Sequence, residues 1–164
     1  MIKNPLTDQE YLKCLSAVKA LDPAKLTSSE ILALRDIFYQ STYYRLCQEI
    51  SIKLVEAEDE GFYPILIAKM RTLFSNRYLW TLMLRASSWD CSQDLDFFVD
   101  IMILRKDHCV ILAKEIISEM EDIDEDDRNY AISKLTLYDQ TIVHPEIKSA
   151  VKSVLNFLSK TTEI

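Results

Sequence analysis

Seven of the nine residues in "EMEDIDEDD", positions 119 to 127, carry carboxylates: Glu119, Glu121, Asp122, Asp124, Glu125, Asp126 and Asp127. A run of this kind could ligate a hard cation, cap a helix, or attract a cationic partner. Asp122, Asp124 and Asp126 occupy positions 1, 3 and 5 of a calcium loop. The glycine that such a loop needs at position 6 is Asp127, and the bidentate Glu needed at position 12 is Ser133, so the calcium pattern fails twice. Capping accounts for part of the run. Asp124 precedes a helical segment, and Glu125, Asp126 and Asp127 fill its first turn, where negative charge suits the helix dipole. Glu119, Glu121 and Asp122 instead fall at the end of the preceding helix, where anions are unfavourable. Two readings stay open for the excess: a solvated bend, or a contact surface for a basic partner.

No other residues assemble into a reactive pattern. His108 and His144 are the only histidines, and neither lies in an HExxH, His-x-His or Glu-x-x-His arrangement, so zinc and di-iron ligand sets are missing. Cys14, Cys47, Cys91 and Cys109 form no CxxC pair. Cys109 follows His108 directly, but adjacent helical residues point in different directions, and Cys109 lies on an apolar stripe. One glycine, Gly61, cannot build a P-loop, a GxGxxG turn or a GxSxG elbow. Carboxylates such as Asp96 and Asp100, at i and i+4 on one helix face, are candidates for acid–base work. They would need a cleft and an opposing group. No cofactor is expected.

Net charge is -7, which disfavours a nucleic-acid partner. Removing the seven acids of the run from the total of 26 leaves 19, equal to the 19 Lys and Arg. The chain is therefore a neutral body with one acidic spot. The N-terminal residues have no apolar signal core, and no apolar run approaches the ~18 residues that span a bilayer. With unpaired cysteines, this predicts a cytoplasmic chain and no membrane partner.

These residues must be positioned by helices. Gly is too scarce for tight hairpins, and 49% of residues are hydrophobic. "TDQE" from Thr7 and "TSSE" from Thr27 are capping boxes, and Pro64 and Pro145 suit first helical turns. Apolar residues recur with helical period. In one segment Cys109, Leu112, Ala113, Ile116, Ile117 and Met120 follow i, i+3, i+4, i+7, i+8 and i+11. Nine helices are predicted, at about 8–21, 28–40, 43–58, 63–74, 77–87, 93–104, 108–121, 125–138 and 145–159. The segment at 93–104, "DLDFFVDIMIL" in large part, is apolar nearly all round, as for a helix with several neighbours. Phe38, Phe97, Phe98, Phe157 and Trp80 read as packing. Trp89, in the link "SSWDCS" beside Asp90, could cover the core from above or anchor a partner. With Phe62 and Tyr63, after "EAEDEG", it places aromatics beside acids. That combination suits recognition of a basic protein.

The predicted helices fall into pairs at about 7–40, 42–74, 76–104 and 107–138, with a terminal helix at 145–159. Pair starts recur every ~31–37 residues. First helices include "YYRLCQEISIKLVE", "RYLWTLMLRAS" and "HCVILAKEIISEM"; second helices include "YPILIAKMRTLF" and "DRNYAISKLTLY". The pairing resembles HEAT-like helical repeats over roughly residues 42–159. The segment "WDCSQDLDFFVDIMILRKDHCVILAKEIISEMEDIDEDD" is similar to small bacterial HEAT-like proteins found in toxin–immunity settings. The helix-kinking proline of many HEAT repeats is absent from these first helices.

The resemblance implies an all-α single domain over 1–164, stacked as antiparallel pairs in an α-solenoid. A compact globular bundle of the same helices is the alternative. It implies a binding surface without catalysis, and the acidic spot adds a basic bacterial toxin domain as the partner to be neutralised. The expected contacts are Trp89, Asp90, Asp122, Asp124, Glu125 and Asp126. The competing expectations are an adaptor or scaffold subunit, which would carry an exposed apolar patch, and an all-α enzyme using Asp96 and Asp100.

Overall fold

A computed structural model describes residues 7–160 of the chain. The described residues are all-α, with no strand. The helices are α1 (Asp8–Ala20), α2 (Ser28–Gln40), α3 (Tyr44–Glu56), α4 (Tyr63–Thr72), α5 (Leu79–Ala86), α6 (Leu95–Leu104), α7 (Cys109–Ser118), α8 (Glu125–Asp139) and α9 (Pro145–Lys160). Short 3-10 turns at Pro23–Lys25, Glu60–Phe62 and Ser92–Asp94 lie in the links. No described helix is long and apolar enough to cross a membrane. The chain divides into two compact units, Met1–Lys69 and Met70–Ile164.

Local chemistry sets the helix starts. Both capping boxes form. Thr7 and Thr27 accept from the amides of Glu10 and Glu30, whose carboxylates reach back to the threonine amides at 2.8 Å. Asp124 caps α8, and Pro145 opens α9. The largest departure from the predicted limits is at the end of α7. It stops at Ser118 because Met120 and Ile123 turn inward to bury their side chains.

In the first unit α1 and α2 both pack on α3. Leu46, Cys47, Ile50 and Leu54 give α3 a continuous buried face, met by Leu15, Val18, Leu34 and Phe38. Phe62 is fully buried, edge-on to Phe38 with ring centroids 4.9 Å apart. The predicted surface pairing of acid and aromatic at this link is therefore corrected: Phe62 is core. The same link is tied down by an ion pair of Arg35 with Asp59, whose carboxylate is nearly buried. The Asp59 hydrogen bond holds the Arg35 guanidinium above its usual pKa, against the opposing effect of its burial. Lys69 donates from Nζ to the carbonyls of Tyr39 at 2.9 Å and Ser41 at 2.6 Å, satisfying the C-terminus of α2. Three thiols, Cys47, Cys91 and Cys109, are buried as packing atoms.

In the second unit α5 packs on α7 and α7 on α9, while α6 packs on α8; α6 also meets α7, and α8 meets α9. Alternate helices thus form two rows. Helix α6 buries Leu95, Phe97, Phe98, Val99, Ile101 and Met102, as expected for a helix surrounded on several sides. Trp80 corrects the prediction of a core position, being 46% exposed. Leu79, Leu82, Met83 and Ala86 define the buried face of α5, and Trp80 lies about 100° round the helix from Leu79. An apolar run broken only by Thr81, itself buried, concealed that phase.

The chain's one glycine is a matter of space. A Cβ built on Gly61 would lie 2.2 Å from an Arg35 guanidinium nitrogen, and the φ of Gly61 is not positive. Arg35 could swing clear only by leaving Asp59. Gly61→Ala is expected to cost ~1–3 kcal/mol, the scale of a broken, part-buried charged hydrogen bond. In an Arg35→Ala background the same change should be neutral or stabilising by up to about 1 kcal/mol, through reduced unfolded-state entropy. Urea unfolding of the four proteins of this cycle measures the sign change.

Candidate functional site

The links at one end of the second unit carry most of the residues singled out from the sequence. The link after α5 contains Trp89 and Asp90, and the link after α7 contains the start of the acidic run. The structure ties the two together through a small hydrogen-bond relay. The amide of Asp122 donates to Oγ of Ser92 at 3.2 Å, and that hydroxyl donates to Oδ1 of Asp90. The same Oδ1 accepts from the amides of Ser92 at 3.1 Å and Glu121 at 3.4 Å. Burial pushes the Asp90 carboxyl up, but these bonds, from Ser92, Glu121 and Asp122, outweigh it and leave its pKa below the usual value.

Asp90 therefore acts within the chain and positions the acidic bend. Ser92 is buried, and its place in the relay was missed from the sequence. The Asp-x-Ser spacing of Asp90, Cys91 and Ser92 is a local turn signal that could have found it. Trp89 is half-buried in the same link.

Beneath the bend, Met120 and Ile123 are buried and act as its two apolar anchors. Above it, all seven carboxylate side chains of the run belong to exposed residues. Oδ1 of Asp124 accepts from the amides of Asp126 at 2.9 Å and Asp127 at 3.5 Å, so its charge lies on the α8 N-terminus. Among the described residues none of the seven enters an ion pair. Arg128, next in sequence, directs a guanidinium nitrogen to the carbonyl of Ile123 at 3.1 Å, inside the bend. Asp122, Glu125 and Asp126 are thus presented outward on a backbone fixed from below.

No protein family, curated protein or solved structure matches this chain.

Asp96 and Asp100 are not brought into a shared cleft. Asp96 and Asp94 both receive Arg71, at 3.2 and 3.0 Å, and Arg71 also lies over the Phe97 ring at 4.8 Å. Asp100 takes Nζ of Lys134 from α8 at 2.6 Å, and this bond holds the lysine above its usual pKa. Each carboxylate serves as a tie between helices. His108 lies at the N-cap of α7 and His144 just before α9, at the other end of the unit from the acidic run. The Cys109 thiol is pushed up to about 12 by burial and by nearby Asp107. Among the described residues no group of three His, Cys, Asp or Glu could hold a metal ion.

Asp90→Ala removes the acceptor at the centre of the relay. Amide hydrogen exchange at Glu121 and Asp122 should accelerate, with a global cost of about 1 kcal/mol, the net value of a typical hydrogen bond. The folded pKa of Asp90 is depressed. Its stabilising effect is thus complete above the unfolded value of about 3.9 and fades as pH falls through the folded value. Exchange measured on a descending pH series should show the bend loosening only in that acid window, after correction for intrinsic rates.

Proposed function

We propose that this chain is a non-catalytic protein-binding module that receives a basic protein on its acidic end. The observation that carries the proposal is the fixed bend: seven exposed carboxylates, none in an ion pair among the described residues, held on a backbone latched by Asp90 and Ser92. Crowded like charges raise the local potential, speed the encounter with a cationic surface and reject acidic ones. Asp122, Glu125 and Asp126 are the proposed contacts, and half-buried Trp89 offers an aromatic edge beside them. Asp90 and Asp124 position the others.

The two rows of alternate helices in the second unit support a HEAT-like stack, in which links gather at the ends and form recognition surfaces. On that architecture, the specific partner proposed is a basic bacterial toxin domain that this chain neutralises by covering its functional surface. A second reading, an adaptor within a larger assembly, is favoured by one observation. Trp80 and Leu84 form an apolar pair at i, i+4, exposed on α5.

Binding to the basic product of a neighbouring gene, purified and tested by surface plasmon resonance, separates these readings. The variant carrying Asp122→Asn, Asp124→Asn and Asp126→Asn is the informative one, because Asn still caps a helix and the fold is retained. Association should slow at least about ten-fold in that variant and at raised salt, with the partner's toxic activity restored. An affinity indifferent to the triple change but lost in Trp80→Ser moves the interface to α5 and favours the adaptor. No interaction with any basic partner removes the proposal.

A further inference from the structure

The opposite end of the second unit has a different character. It is built from the α6–α7 and α8–α9 links, about 15 Å from the acidic bend along ten-residue α7. A cavity of about 580 Å³ opens there, walled largely by Tyr138, Ile142, Val143, Pro145 and Ile147, with Lys106 at its edge. Val143 is 94% exposed, so no described residue covers its isopropyl group. Pro145 also lines a second hollow of about 550 Å³, which continues along α9 past Lys148, Ser149, Lys152 and Ser153. An apolar slot thus leads onto a cationic shelf.

No carboxylate lines either hollow, although acids outnumber Lys and Arg by 26 to 19 in this chain. Among the described residues, Lys106, Lys148 and Lys152 enter no ion pair. We propose that slot and shelf form a docking groove for an acidic peptide segment of another protein, with an apolar anchor followed by carboxylates at alternate positions. The spacing fits an extended chain. Lys148 and Lys152 are one helical turn apart, a rise of about 6 Å, and alternate residues of an extended strand are about 6.6 Å apart. Alternate carboxylates can therefore meet successive lysines while the apolar anchor fills the slot beside Val143.

The chain's own acidic run does not meet this description, because its apolar residues Met120 and Ile123 are already buried. The occupant proposed is a segment of a different protein, and the groove is independent of the acidic end.

Fluorescence anisotropy with a labelled synthetic peptide, two leucines followed by alternating glutamate and serine, tests the groove on the full chain. Saturable binding is expected, weakened at least about ten-fold when the leucines become serine or the glutamates become lysine. The double variant Lys148→Glu, Lys152→Glu and the single variant Val143→Asp should each weaken binding about ten-fold. Both leave the thermal midpoint essentially unchanged, since these side chains reach solvent. Equal affinity for the lysine peptide, absence of saturable binding, or indifference to both variants overturns the proposal. So does variant-sensitive binding to phosphatidylglycerol vesicles without peptide binding, which would assign the shelf to a lipid surface.

Discussion

Helix α6 is buried over most of its circumference, and the second unit is arranged around that constraint. Phe97 and Phe98 are adjacent, and adjacent helical residues diverge by about 100°, so burying both requires neighbours on more than one flank. Each such ring contributes about 1.5–3 kcal/mol when removed from water, comparable to a sizeable part of a domain's net stability. Helices α7 and α8 supply two of the flanks. The only polar positions within α6, Asp96 and Asp100, lie one turn apart, and each is met by a cation, Arg71 or Lys134. The helix is thus closed by apolar contact over most of its surface and by ion pairs where it is acidic.

The second unit packs helix on helix, with its links at the two ends. These ends have opposite electrostatic character. At one, carboxylates are gathered despite mutual repulsion of about 0.6 kcal/mol for a pair ~7 Å apart in water. Buried Met120 and Ile123, the Asp90 relay and the α8 amides offset that cost. At the other, lysines border apolar surface with no acid among the lining side chains. The net charge of the chain conceals this division.

Helix identity was legible because its signals are local. Capping boxes at Thr7 and Thr27 and the proline at Pro145 marked starts correctly, and apolar period marked faces wherever polar residues interrupted the run. Where only a buried threonine interrupted it, as in "YLWTLML", phase was lost and Trp80 was assigned to the core. Phe62 failed for the opposite reason: acidic neighbours suggested a surface, while Asp59 was already committed to Arg35, 24 positions earlier. Pairings over such separations leave no local mark. The acidic run was evident from composition, but its latch joins residues 30 positions apart, and only the Asp-x-Ser half of it is written locally. The apolar groove combines links more than 30 residues apart and had no sequence signal at all.

The cysteines have a consequence for how this chain meets oxidants. A thiol reacts as its thiolate, and a pKa pushed up to about 12 by burial and by Asp107 leaves Cys109 in its unreactive protonated form at pH 7. Burial pushes the Cys47 thiol up as well, and it donates to the carbonyls of Phe38 and Ser41. Cys91 donates to Ala86 in the same manner. Only Cys14 reaches solvent in part. Thiol-directed electrophiles would therefore find one partly accessible cysteine per chain, and the other three would stay shielded for as long as the chain stays folded.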